Sequence, residues 1–176
     1  MALKYTILVI LSNDAMSGYD LWKKLAESSN HYWKASQQQI YRELSKLEVC
    51  NAISLTVVSQ ESRPDKKLYR ITETGKEILI AWITEPSEPT AIREELLVKV
   101  LAGYLVSSEV VIRELKRHHQ IHSQNLIACR DEEKKILENF SELSSYQKYR
   151  YLALRRGIRY ETEWVNWCEE AIAMLS

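Results

Sequence analysis

The chain of 176 residues is 45% hydrophobic and 27% charged, a composition typical of globular proteins that excludes a disordered or fibrous one. Its 24 basic and 24 acidic residues give a net charge of zero, so the protein as a whole has no electrostatic attraction to nucleic acid. The longest apolar run, residues 5–11, is far shorter than the roughly 20 residues that span a bilayer. We therefore expect one domain or two small ones, a cytoplasmic location and no membrane partner.

The first two elements are predicted to be helices. Residues 3–11 are almost wholly apolar, and periodicity alone does not separate a strand from a buried helix there. Ser17 and Asp20 resemble a capping box that opens a helix over residues 18–28. This second helix favours a helical assignment for the first segment as well.

The third helix is predicted over residues 36–47, where Ser36 and Gln39 form a capping box. Its apolar stripe is narrow and leaves most of the surface polar. The stripe consists of Ile40, Leu44 and Leu47, and the side chains outside it are Gln37, Gln38, Tyr41, Arg42, Ser45 and Lys46.

A long basic hairpin is predicted to follow. Asn51 suits the left-handed conformation that ends a helix, and strand-like runs cover residues 53–61 and 67–72. Residues 63–70, which include the turn at Pro64, contain four bases and one acid. A polar helix next to a basic hairpin is the layout of a winged-helix DNA reader.

A change of composition then divides the chain. Thr72 or Thr74 opens a fourth helix, which ends before Pro86. Residues 85–90 contain two of the three prolines and no apolar side chain, so they predict a linker. The predicted organisation is a winged-helix domain over residues 1–84, a linker over 85–91 and a helical domain over 92–176.

The C-terminal domain is predicted to be wholly helical. A short helix over residues 92–105 precedes two long segments with heptad-like stripes, and a capping box at Ser144 opens the second of them. A lone hairpin would leave this apolar seam in water, so we expect a partner subunit and a four-helix arrangement. The candidate dimerisation residues are Leu115, Leu126, Tyr149, Tyr160, Trp164 and Trp167.

Four segments in this order resemble the PadR-like family of bacterial transcription regulators. They are Met1-Ala2-Leu3-Lys4-Tyr5 leading to Leu11, Ser17-Gly18-Tyr19-Asp20, residues 39–47 (QIYRELSKL) and residues 63–75 (RPDKKLYRITETG). Residues 33–39 and the long C-terminal pair, with Trp164 and Trp167 near the end, are similar to AphA-type virulence and quorum-sensing regulators.

The resemblance implies a mainly α homodimer with a small β-wing. In it, an N-terminal winged helix-turn-helix is joined to long antiparallel C-terminal helices that form a dimerisation bundle, and the first helix packs against the partner. Asn51 and Ser62 stand where the family has glycine. Neither departure removes a DNA-contacting side chain, so they concern backbone geometry at the turn and at the wing tip.

The residue types on the third helix match those that read bases in the major groove, where glutamine pairs with adenine and arginine with guanine. Recognition helices usually contact bases through their N-terminal residues. Tyr41 suits a phosphate contact and packing under the wing equally well. The predicted roles are Gln37, Gln38 and Arg42 at base edges, Tyr41, Lys46 and Lys34 at the DNA backbone, and Arg63, Lys66 and Lys67 as wing contacts to the minor groove or flanking phosphates.

Other clusters support weaker alternatives. Glu114, His118 and His122 have helical spacing that permits a metal site, but histidines beside a dimer seam account for them better, and we predict no metal or cofactor. The three widely spaced cysteines fit neither a disulfide framework nor a metal knuckle. Core packing and an aromatic effector pocket remain alternatives for Tyr104, Tyr160 and Trp164.

No enzyme motif is present. The chain has no G-x-S-x-G, no phosphate-binding glycine loop and no cysteine placed with a histidine base, so we predict that it is not an enzyme. A winged-helix adaptor that binds protein is the alternative to a DNA reader, although Arg42, Lys46 and the basic wing favour DNA. The predicted partners are double-stranded DNA and a second copy of the chain, with a co-regulator protein and a small-molecule effector as further alternatives.

Overall fold

The structure is a computed structural model that describes residues 2–27, 35–60, 63–91, 93–138 and 140–176. The chain divides into two compact units, residues 1–89 and 90–176, each built around its own buried side chains. Helices dominate both units, and a two-stranded antiparallel sheet lies in the first. The mainly helical fold with a small β-wing is confirmed, whereas the linker at residues 85–91 stays a prediction.

The first unit contains four helices and one hairpin. Its elements are α1 (Ala2–Leu11), α2 (Gly18–Glu27), α3 (Gln37–Val49), β1 (Ile53–Gln60), β2 (Arg63–Ile71) and α4 (Glu73–Thr84). Every one of them contributes to a single apolar core, which includes Ile7, Leu8, Leu21, Ile40, Leu44, Ile53, Ile71 and Leu79. The apolar segment at the start of the chain is therefore a helix, because that form presents Ile7, Leu8 and Leu11 to this core.

Specific hydrogen bonds fix both ends of α3. The Ser36 hydroxyl accepts from the Gln39 backbone N–H (3.2 Å) and the Gln39 side chain accepts from the Ser36 N–H (2.8 Å), so the predicted capping box is confirmed. Asn51 follows the helix with φ 54°, the left-handed conformation predicted for it. The Thr72 hydroxyl donates to the Asn51 carbonyl (2.6 Å) and accepts from the Gly75 N–H (3.1 Å), which joins the end of α3 to the start of α4.

The hairpin extends further than its sequence predicts. Ile53 pairs with Ile71 at one end, and after an irregularity near Val58 the ladder continues to the pair of Gln60 with Arg63. The predicted strand start at Lys67 is therefore wrong, and both wing lysines lie within β2. A two-stranded ribbon consists of edge strands, which tolerate charged side chains and a proline that lacks a donor.

The second unit is an all-helical hairpin with a short preceding helix. Its elements are α5 (Glu95–Leu101), α6 (Ser108–Leu137) and α7 (Ser145–Leu175), with 3₁₀ turns at Gly103–Leu105 and Phe140–Glu142. The prediction of one helix up to residue 105 is wrong because the chain turns sharply at Gly103, where a Cβ would lie 2.9 Å from Val111 Cγ2. The capping box of Ser144 and Gln147 that opens α7 is confirmed.

Helices α6 and α7 pack antiparallel along most of their length. One cluster contains Leu96, Val111, Leu115 and Cys168, and the other contains Cys129, Leu154 and Ile158. Much of the heptad-like seam is thus covered within one protomer, because each helix buries the stripe of the other. Within the described ranges, no helix has the length and apolar character needed to cross a membrane.

Candidate nucleic-acid interface

One face of α3 is buried and the opposite face is open to solvent. Ile40, Leu44 and Leu47 lie in the core of the first unit, as predicted. Gln37, Gln38 and Arg42 are all exposed. No side chain in the described part of the chain forms a hydrogen bond or ion pair with these three, so the polar groups that would read base edges are available.

The other polar residues of α3 are partly engaged inside the protein. Gln39 is taken up by the capping box, and Lys46 forms an ion pair with Glu43 one turn earlier (3.2 Å). Tyr41 is 41% exposed, and the edge of its ring lies against Gly18 of α2. A Cβ at residue 18 would come within 2.6 Å of Tyr41 Cε1, so the absence of a side chain allows α2 and α3 to approach closely.

The wing lysines differ in their surroundings. Adjacent residues of a strand point to opposite faces, so Lys66 and Lys67 project from opposite sides of the ribbon. Lys66 forms an ion pair with Asp20 of α2, with 2.9 Å between its Nζ and Asp20 Oδ2. Lys67 is exposed. The side chain of Arg63 lies outside the described residues, as does the whole of Lys34.

Backbone bonds anchor the base of the wing. Met16, just before α2, forms an isolated antiparallel bridge with Tyr69, with N–O distances of 3.0 and 2.8 Å. Tyr69 is buried, and this burial raises the pKa of its phenol. Gly75 packs so closely on Ala52 that a Cβ there would meet the Ala52 carbonyl oxygen. The hairpin therefore has a fixed attachment to the helices that carry the exposed face.

Asp20 is a residue of this region whose role the sequence did not reveal. The sequence predicted only that Asp20 belongs to a capping box with Ser17, and Ser17 Oγ does accept from the Asp20 N–H (3.1 Å). The carboxylate also accepts from the Ser17 hydroxyl (2.8 Å), and it pairs with Lys66, 46 positions further on. These contacts hold the pKa of the Asp20 carboxyl below its usual range, Lys66 being the larger cause.

The predicted dimerisation residues fall into three groups. Leu115 is fully buried inside its own protomer and Leu126 is half-buried beside Cys129 and Leu154, so both contribute to the hairpin core. Tyr149 and Tyr160 are exposed on α7. Trp164 and Trp167 are half-buried and pack edge to face, with 5.4 Å between ring centroids.

A buried polar cluster lies between α6 and α7. His122 Nδ1 contacts Glu161 Oε2 at 2.6 Å, and the Asn125 amide donates to Glu161 Oε1 at 3.4 Å. The His122 ring stacks on Trp164, with centroids 4.4 Å apart and planes inclined by 4°. Among the described residues, no three His, Cys, Asp or Glu side chains are grouped to hold a metal ion. His122 is instead paired with a carboxylate and an aromatic ring.

The candidate effector residues do not share one environment. Tyr104 is strongly exposed on the 3₁₀ turn before α6. Tyr160 and Trp164 lie edge to face on α7, and Trp164 is already covered by His122. A ligand site at these residues stays a prediction.

The helices α2 and α3, the hairpin and α4 together define a winged helix-turn-helix protein, a class that presents one helix beside a β-wing. The family model of PadR-like transcriptional regulators matches residues 7–81, and the model of the virulence activator alpha C-terminal region matches residues 92–176. The chain belongs to the PadR-like family. It is thus a transcriptional regulator and not an enzyme, as its sequence predicts.

Several relatives and solved structures match over almost their whole length. A probable transcriptional regulator of Mycobacterium tuberculosis is 32% identical, with 99% of this chain and 98% of the relative covered. Bacillus subtilis PadR in complex with operator DNA has a TM-score of 0.85 and 26% identity over all of both chains. The same PadR in complex with p-coumaric acid has a TM-score of 0.78 and 27% identity, covering 99% of each chain. The Vibrio cholerae virulence activator AphA has a TM-score of 0.77 and 28% identity, covering 98% of this chain and 97% of its own.

Proposed function

We propose that this regulator acts as a homodimer that binds double-stranded DNA at an inverted-repeat operator. Each protomer would place its α3 in the major groove, the two helices lying about 34 to 36 Å apart along the duplex. The observation that carries the proposal is the face of α3, with three polar side chains outside that no described residue pairs with and a fully apolar stripe inside. The match to Bacillus subtilis PadR in complex with operator DNA supports it.

Within this interface, α3 would determine sequence specificity and the wing would contribute affinity that does not depend on sequence. Glutamine and arginine make paired hydrogen bonds to adenine and guanine, so Gln37, Gln38 and Arg42 are assigned to base edges. Lysine recognises phosphate as a point charge, which suits Lys46 and the wing lysines. Lys34 and Arg63 are proposed in the same role from sequence alone, and Tyr41 combines packing on Gly18 with a hydroxyl able to reach phosphate.

The dimer is supported by apolar side chains that the protomer leaves in water. Tyr149, Leu152 and Tyr160 of α7 lie within one narrow arc of the helix and are 74%, 63% and 41% exposed. A second exposed group, on α5 and the following turn, contains Val98, Leu101, Tyr104, Leu105 and Val106. Exposed apolar side chains clustered in this way favour an interaction site. A second copy of the chain would cover it on both protomers at once.

The test of DNA reading starts by selecting bound duplexes from a random pool and measuring affinity for the selected operator and for random DNA. Gln38→Ala should cost roughly 1 to 3 kcal/mol on the operator and little on random sequence, because a base-reading pair carries the specificity. Gln120→Ala, an exposed glutamine on α6, serves as the control and should change neither.

Two results would contradict the proposal. If the selection yields no preferred sequence and no salt-sensitive complex forms, the winged helix is better described as an adaptor that binds protein. If Gln38→Ala weakens binding to both duplexes equally, α3 does not read bases.

Regulation by a small aromatic acid is a second candidate, favoured by the match to PadR in complex with p-coumaric acid. Tryptophan fluorescence should change when such a ligand binds near Tyr104, Tyr160 or Trp164, and the ligand should release the operator. Fluorescence that stays constant across a panel of phenolic acids and planar cations would argue against this effector site.

A further inference from the structure

A carboxylate of α2 forms an ion pair with a lysine of the wing. Asp20 Oδ2 lies 2.9 Å from Lys66 Nζ and also accepts the Ser17 hydroxyl at 2.8 Å. The two residues are 46 positions apart and belong to different elements, since Asp20 lies in the first turn of α2 and Lys66 in β2. The ion pair therefore connects the helix-turn-helix to the wing.

Asp20 is held in place independently of its partner. The Ser17 hydroxyl and the first turn of α2 orient its carboxylate, and the bridge between Met16 and Tyr69 fixes the strand three residues from Lys66. Both members of the ion pair remain 43% exposed, so DNA can approach the lysine. The site thus presents Lys66 with a fixed negative charge that solvent and ligands can still reach.

We propose that Asp20 stands in for a DNA phosphate on Lys66 in the free protein, so that it restrains sequence-independent binding by the wing. This inference rests on the proposed DNA binding and adds a positioning residue that would not itself contact DNA. The carboxylate neutralises the lysine until a phosphate replaces it. A correct operator supplies further contacts through α3 that drive the exchange, whereas random DNA does not.

The strength of the ion pair suits such an exchange. Exposed pairs contribute little to stability, because solvent screens them and ordering two side chains costs entropy. A DNA phosphate can therefore replace Asp20 readily. An aspartate is ionised at neutral pH, which the exchange requires, and the contact with Lys66 lowers the pKa of the Asp20 carboxyl further.

The experiment measures the affinity of the full-length protein for a random duplex and for the selected operator over a series of KCl concentrations. Each phosphate neutralised by a protein charge contributes about 0.9 to the slope of log affinity against log salt. Asp20→Asn should steepen the slope on random DNA by up to about 0.9 and raise affinity several-fold at low salt. The affinity for the operator divided by the affinity for random DNA should fall, since the affinity for random DNA increases more.

Matched variants separate this mechanism from a general change of charge. Asp14→Asn removes an exposed acid of the same unit, whose carboxylate is bonded to Asn13 and not to the wing, and should leave the slope unchanged. Lys66→Gln should lower the slope on the operator and leave it unchanged on random DNA, and adding Asp20→Asn to Lys66→Gln should have no further effect on either duplex. Lys66→Gln leaves the cap of α2 untouched, so the measurement on this variant remains informative if Asp20→Asn unfolds α2.

The outcomes are distinct. Three results would overturn the inference while leaving the proposed function intact. Asp20→Asn could retain the wild-type slope, or Asp14→Asn could change the slope as much as Asp20→Asn does. Asp20→Asn could also retain its effect when Lys66 is already replaced by glutamine. A wild-type protein without salt-sensitive DNA binding overturns both.

Discussion

The three cysteines differ sharply in the access that solvent has to them. Cys50 is exposed at the end of α3, where its thiol donates to the Leu47 carbonyl at 3.4 Å. Cys129 and Cys168 are buried in the two cores of the second unit. Burial raises the pKa of the Cys168 thiol and raises that of Cys129 to about 11.

Alkylation should therefore discriminate between these thiols. The thiolate is the reactive form, and the raised pKa keeps the Cys129 thiol protonated at pH 8. Iodoacetamide should label Cys50 of the native protein, with Cys129 and Cys168 labelled only after denaturation. Mass spectrometry of the digested protein checks this, and labelling of native Cys129 at the rate of Cys50 would contradict the burial described.

His118 makes stability depend on pH. Burial, followed by the nearby Arg117 guanidinium, lowers the pKa of this imidazole below its usual 6.5. The unfolded chain then binds more protons than the folded one at acidic pH, so the contribution is present above pH 6.5 and is lost as the pH falls below it. His118→Gln should reduce the loss of stability between pH 7 and 5 in urea titrations. An identical difference between wild type and variant at both pH values would exclude this linkage.

At the scale of helices, the packing of α6 on α7 includes a buried charge. Glu161 is 4% exposed and is satisfied by His122 and Asn125. Taking a carboxylate out of water is costly unless partners compensate it, so this contact determines how the two helices align as well as how strongly they associate. A shift of one helix by a turn would separate Glu161 of α7 from both of its partners on α6.

Removing the His122 partner of Glu161 should reduce stability strongly. His122→Phe retains the stack on Trp164 but leaves Glu161 with only the long bond from Asn125, and we expect it to lower the free energy of unfolding by roughly 3 to 5 kcal/mol. Adding Glu161→Gln should recover much of that loss. His119→Phe is the control, because its partner Glu169 is exposed and the expected cost is about 0 to 1 kcal/mol. Equal losses for the two histidine variants in urea unfolding would show that the buried pair is not special.

Local patterns in the sequence predicted the elements and their caps well. The stripe of Ile40, Leu44 and Leu47 follows from helical periodicity, and Asn51 from its tolerance of positive φ. The pairs Asp20 with Lys66 and His122 with Glu161 could not be predicted, because each depends on how elements 39 or more positions apart are aligned. The seam of α6 suggested a partner subunit at Leu115, but the second helix of the same chain covers that residue.

At the scale of the molecule, the proposed dimer should depend on the exposed stripe of α7 that consists of Tyr149, Leu152 and Tyr160. Leu152→Asp places a charge in the middle of it and should shift the protein towards monomer in sedimentation experiments. The protomer fold should be retained, because Leu152 is 63% exposed and outside both cores.

The matched control is Asn166→Asp, which adds the same charge to α7 outside the stripe and should remain a dimer. Unchanged sedimentation of Leu152→Asp would place the interface elsewhere, and operator binding that survives in a monomeric variant would contradict the two-fold arrangement.

The close approach of Gly18 to Tyr41 predicts which mutations would abolish regulation. A methyl group at residue 18 would meet the ring of Tyr41, so that ring, or α3 with it, would have to shift although every side chain of α3 stayed the same. A genetic screen for lost regulation should therefore recover Gly18→Ala and Gly18→Ser alongside changes in Gln38 and Arg42. Such alleles would alter the proposed DNA-binding face without changing any side chain of α3, because they would act through the position of Tyr41.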